Sequence, residues 1–96
     1  MRKREALERL RRHADAIRAL GARSLYLFGS TARDEARPGS DIDLFVDYDD
    51  AFSAIELVCL RDRVREILGA EADVTTRDGL HPLIRDEVIA SAERVF

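Results

Sequence analysis

The sequence predicts an α/β (α+β) fold, a small mixed β-sheet flanked by helices, and three observations carry that expectation. Helical and strand periodicities alternate along the chain in the order αβαβαβα. Gly21 and Gly69 stand where two of the helical patterns stop. Only twelve residues, 29–40, separate the first two strands, which is short for a parallel crossover and points to a mixed sheet.

Taken in order, Leu7, Leu10, Ala14 and Ile17 recur at helical spacing and define an apolar stripe on a helix over most of residues 2–20. Residues 24–28, short, apolar and partly aromatic, read as a buried strand that Gly29-Ser30 breaks. Residues 31–35 have room for one or two helical turns, 37–40 read as loop, and 41–46 as a second strand. The capping box Ser53-x-x-Glu56 opens a helix striped by Leu57, Leu60, Val64 and Ile67 and closed by Gly69. Ala72–Thr76, β-branched in character, is a third strand. Asp78-Gly79 turns the chain, Pro82 suits the first turn of a last helix reaching about Ala92, and residues 94–96 add a short edge strand.

A length of 96 residues fits one domain, 1–96, whose modest core leaves only a shallow surface site. With 46% hydrophobic and 36% charged residues, the composition is that of a globular protein. No apolar run approaches the ~20 residues of a membrane span, and the charged N-terminus has no signal core, so a cytoplasmic location and no membrane partner are expected. The single Cys59 excludes an internal disulfide and reads as a small apolar residue on a helix. Residues 1–20 hold seven Lys/Arg against three Asp/Glu. These charges read as the solvated face of an amphipathic helix, and direct nucleic-acid binding is not expected.

The chemistry-bearing stretch is Gly29-Ser30, ten residues, then Asp41-Ile42-Asp43. Alternation along a strand puts Asp41 and Asp43 on one face about 6–7 Å apart. Two carboxylates that close repel unless a cation lies between them. Mg²⁺ answers that need, because it prefers oxygen ligands and takes one or two carboxylates plus substrate phosphates. Gly29 lets a ligand approach the backbone and Ser30 adds a hydroxyl donor, a natural seat for a β- or γ-phosphate. Neither GxxxxGK[ST] nor GxGxxG occurs. Asp73 is either a third metal-holding carboxylate or an exposed strand residue; whether its strand lies beside 41–46 decides between them. An EF-hand is rejected, since a loop starting at Asp41 has Phe45 and Val46 where it needs an oxygen ligand and glycine, and one starting at Asp47 has Ala51 and Phe52 there. Asp47, Asp49 and Asp50 read as a solvated loop. His13 and His81 lack zinc spacing, and Tyr26 and Tyr48 read as structural.

Gly29-Ser30-Thr31-Ala32-Arg33, followed by Ser40-Asp41-Ile42-Asp43-Leu44, resembles the signature of the minimal nucleotidyltransferase (MNT) family, a compact branch of the DNA-polymerase-β-like superfamily. The resemblance covers nearly the whole chain. It implies metal ligation and catalysis by Asp41, Asp43 and Asp73, and nucleotide binding at Gly29, Ser30, Arg33 and Ser40, with the role of Arg33 open between phosphate contact and structural pairing. It also implies two Mg²⁺ ions, ATP as substrate, and transfer of AMP to a hydroxyl. Members that resemble this chain are often paired with a HEPN-domain ribonuclease toxin and act as antitoxins by adenylylating a toxin tyrosine. The alternative is a non-catalytic antitoxin that silences its partner by contact alone. One position departs from the pattern: Asp34 stands where many relatives carry glycine. Aspartate tolerates left-handed backbone, so the turn is expected to survive.

Overall fold

The computed structural model describes residues 1–37, 39–49 and 53–96. The helical stripe near the N-terminus forms two helices, α1 (Lys3–Arg12) and α2 (Ala14–Arg18). The continuous helix expected over residues 2–20 is broken at His13, and the side chain of that residue is the cause. Its Nδ1–H donates to the Arg9 carbonyl at 3.0 Å, while its backbone N–H bonds Leu10 O instead. A helical ladder bond is thereby replaced, a break that no glycine or proline announces.

β1 (Ala22–Phe28) runs into the single-turn helix α3 (Gly29–Ala32), and β2 (Ile42–Tyr48) returns beside β1. The capping box of α4 (Ala54–Leu68) is present in both directions: Glu56 N donates to Ser53 Oγ at 3.4 Å, and Ser53 N to Glu56 Oε2 at 2.9 Å. Gly69 closes the helix in the left-handed conformation. β3 (Ala72–Thr76) is followed by a turn, α5 (Arg85–Ser91) and β4 (Glu93–Arg94). Pro82 lies in the turn ahead of α5 rather than in its first turn, because His81 O accepts both Ile84 N and Arg85 N there. The short edge strand is confirmed but begins at Glu93, one residue earlier than expected.

The four strands lie in the order β3-β2-β1-β4. β1 pairs antiparallel with β2 and β4, whereas β2 and β3 are parallel, so the sheet is mixed as predicted. Alternation divides it into two faces. Leu25, Leu27, Ile42, Leu44, Val46 and Ala72 join Ala6, Leu10, Ile17, Leu60, Val64 and Leu68 in the core beneath α1, α2 and α4. The opposite face carries Tyr26, Phe28, Phe45 and the carboxylates, with the Tyr26 and Phe45 rings stacked 4.7 Å apart. Among the described residues, no helix is long and apolar enough to cross a membrane.

Candidate active site

Three chain segments reach one end of the second sheet face. Phe28 ends β1 opposite Asp43, and Asp43 is in turn the register partner of Asp73 on β3. Register partners project to the same side, so Asp43 and Asp73 share a face one strand apart. β3 lies beside β2, as a third carboxylate at Asp73 would require, and Asp73 is itself exposed on that strand. Asp41 sits exposed one residue before β2 begins.

The Gly29-Ser30 bend is part of this cluster. Gly29 has φ +75°, and a Cβ placed on it would lie 2.5 Å from Asp43 Oδ2. The absent side chain is thus required twice, for the turn and for the room that Asp43 occupies. The carboxyl of Asp43 is held above the ordinary carboxylate range, first by burial, then by the charge of Asp73 and then by that of Asp41. Among the described residues, no group of three His, Cys, Asp or Glu side chains is close enough as it stands to enclose an ion. The donor chemistry nevertheless suits a divalent cation. The oxygens are hard, they come from adjacent positions on one face, and their mutual repulsion is what a cation would offset.

The other predicted positions surround this cluster less tightly. Arg33 is exposed and its Nε pairs with Glu35 Oε2 at 3.1 Å. Ser40 closes a turn with Arg37, its Oγ accepting from Arg37 N at 3.3 Å. Asp34 has φ +58° and is the only described non-glycine residue with positive φ, as its place in the glycine position anticipated.

Sequence reasoning missed the support beneath the site. Asp47 is no loop residue: it lies in β2 and accepts two bonds from Arg77, Nε at 2.8 Å and Nη2 at 2.9 Å. The Arg77 guanidinium stands 5.1 Å above both the Tyr26 and Phe45 rings, and Phe28 tilts against Phe45 at 5.9 Å. Asp49 is exposed beside Arg23, and Asp50 lies outside the described residues. Period-two spacing of Tyr26 with Phe28, and of Asp43 with Phe45 and Asp47, was the available signal for this second face.

Residues 6–95 match the family model described as a nucleotidyltransferase domain. A Methanocaldococcus jannaschii protein described as a candidate protein adenylyltransferase is 38% identical over 76 residues, covering 79% of this chain and 82% of that protein. A solved structure described as a candidate minimal nucleotidyltransferase superposes with a TM-score of 0.75 at 33% identity, over 91% of this chain and 93% of that chain. The same fold, with a TM-score of 0.66 at 17% identity, occurs in a complex of tri-AMPylated Shewanella oneidensis HEPN toxin with MNT antitoxin, over 94% of this chain and 71% of that one.

Proposed function

The chain belongs to the minimal nucleotidyltransferase family of the polymerase-β-like superfamily, and on that premise we propose that it is a cytoplasmic antitoxin which transfers AMP from ATP to a tyrosine hydroxyl of a HEPN-type toxin. The observation that carries this reading is the Asp43–Asp73 register pair with Gly29 against Asp43, which sets two carboxylates of neighbouring strands beside the glycine bend.

Asp41, Asp43 and Asp73 would hold Mg²⁺, which when bound offsets the negative charge of the triphosphate and favours loss of the acceptor proton. The Gly29-Ser30 bend leaves its backbone accessible to the triphosphate tail, and the Ser30 hydroxyl offers a donor there. The acceptor oxygen bonds the α-phosphorus as the bond between the α-phosphorus and the bridging oxygen to the β-phosphorus breaks. Pyrophosphate leaves, and the hydroxyl proton passes to solvent water at the exposed side of the site, beside Asp73. The chain's contribution is position and charge, with no covalent intermediate on the protein.

Incubation with α-labelled ATP, Mg²⁺ and a HEPN partner tests the reading. Label on the partner that disappears with Asp41→Ala supports transfer; a tight complex that never acquires label leaves the contact-only antitoxin as the function.

A further inference from the structure

β3 carries Asp73 and is an outer strand of the sheet. Ile42 N donates to Glu71 O at 3.1 Å and Arg77 N to Val46 O at 3.2 Å. The odd-numbered residues of β3 therefore bond inward to β2, and Ala72, Val74 and Thr76 direct their N–H and C=O groups away from the sheet. Two of these outward carbonyls are engaged: Ala72 O accepts from Arg65 Nε at 3.0 Å, and Thr76 O from Gly79 N at 3.0 Å. The outward carbonyls at both ends of the edge are occupied in this way, a common protection against unwanted pairing. Between them, among the described residues, neither the N–H nor the C=O of Val74 has a partner, and Val74 itself is only half-buried.

A short open window beside a catalytic carboxylate is suited to an added strand. In antiparallel pairing, one peptide residue exchanges both backbone bonds with Val74. Its neighbour then falls opposite Asp73 in a non-hydrogen-bonded pair, with its side chain on the carboxylate face and its Cβ about 4.5–5.5 Å from that of Asp73. From that position a side chain has to reach across β3 toward β2, about 4.8 Å further, to meet a phosphorus near Asp43. Serine and threonine are too short for this, whereas tyrosine carries its hydroxyl at the end of a long, rigid ring.

We infer that the outer edge of β3 is the docking strip for the acceptor, which binds as a short extended peptide segment with a tyrosine opposite Asp73. The inference rests on the proposed transfer activity and adds to it the conformation of the substrate. It excludes a tyrosine presented from the middle of an intact helix.

The test is a titration of ¹⁵N-labelled full-length chain with the peptide acetyl-Thr-Val-Tyr-Val-Thr-amide, followed by amide shifts. The largest shifts are expected at Ala72, Val74 and Thr76, with slowed exchange of the Val74 amide. Shifts centred elsewhere, or none at millimolar peptide, overturn the inference. So does a Val74 amide already protected in a concentration-dependent way without peptide, because the edge would then belong to a second copy of the chain.

Val74→Pro removes the outward N–H, a change that edge strands tolerate, together with part of the packing of Val74 against the core. It should raise the acceptor KM about tenfold while leaving nucleotide affinity within about twofold. Unchanged labelling of the acceptor by this variant overturns the inference. Should the variant fail to fold, N-methylation of the peptide residue facing Val74 makes the same cut with the protein intact. If the wild-type chain shows the β3 shifts but labels no partner, the transfer reading fails and the docking strip stands.

Discussion

Asp43 Oδ2 lies where the Cβ of any residue other than glycine at position 29 would be, at a separation of 2.5 Å. The Gly29-Ser30 bend and the Asp43 carboxylate therefore occupy one steric unit, and each fixes the position of the other.

Gly29→Ala tests that relationship. The substitution meets two penalties, a left-handed φ of +75° and displacement of Asp43. Together they should cost about 1–3 kcal/mol, lowering the melting temperature by about 5–15 °C. Transfer should fall much further than stability, by a hundredfold or more, because the carboxylate moves (~3 kcal/mol in the barrier). Labelling assays run well below the melting temperature separate the two effects.

The pH dependence of stability follows from the raised pKa of Asp43. The folded state holds this proton more tightly than the unfolded chain does. Between the ordinary aspartate value of 3.8 and the higher folded value, the contribution of Asp43 to stability falls as pH rises, and its penalty is complete above the folded value. Asp43→Asn removes that charge, so the metal-free variant should melt about 2–5 °C higher than the wild type at pH 7 and lose the advantage at acid pH. Transfer should be abolished at every pH. A further readout is Mg²⁺, which should raise the melting temperature of the wild type and have little effect on this variant.

The existence of the strands, the limits of β3 and the capping box were readable because each rests on local chemistry: alternation, β-branched residues and a Ser–Glu pair at fixed spacing. The adjacency of Asp73 to Asp43 was not, since which strands pair is decided by packing across α4, and a single strand carries no mark of its neighbour. Asp47 failed for a related reason. Its run of aspartates looked like a solvated loop, and only the return of the chain after β3 brings Arg77 over it. The break at His13 depends on an imidazole taking its own helix's carbonyl, a competition that helical periodicity does not register.

Arg77 gives a third prediction. Its two bonds to Asp47 and its position over the Tyr26 and Phe45 rings join β3 to β2 behind the carboxylates. Arg77→Lys keeps the charge but loses the planar fork and should cost about 1 kcal/mol; Arg77→Ala, which also leaves the Asp47 charge half-buried and unpaired, should cost about 2 kcal/mol. Urea unfolding of Arg77→Ala, Asp47→Asn and the double variant measures the coupling. Additive losses would show that the pair contributes nothing as a pair.

Asp34 provides the last prediction, and it concerns the one described non-glycine residue with a positive φ. The residue pays for a φ of +58°, yet its Oδ1 accepts the backbone N–H of Lys3 at 3.1 Å. Lys3 opens α1, and Arg2 at the N-cap gives that helix no side-chain cap of its own. The aspartate therefore supplies from a distant loop the acceptor that the helix start lacks, and its charge faces the positive end of α1. Asp34→Gly relieves the strained backbone but loses the cap, two effects of about 1 kcal/mol each with opposite sign, so stability should change little. Asp34→Ala loses the cap and keeps the strain, and should cost about 1–2 kcal/mol. Because the carboxylate is directed at α1, neither change should alter nucleotide affinity more than about twofold, equivalent to ~0.4 kcal/mol. A larger gain in affinity for Asp34→Gly, measured by fluorescent ATP binding, would mean instead that this charge opposes the triphosphate.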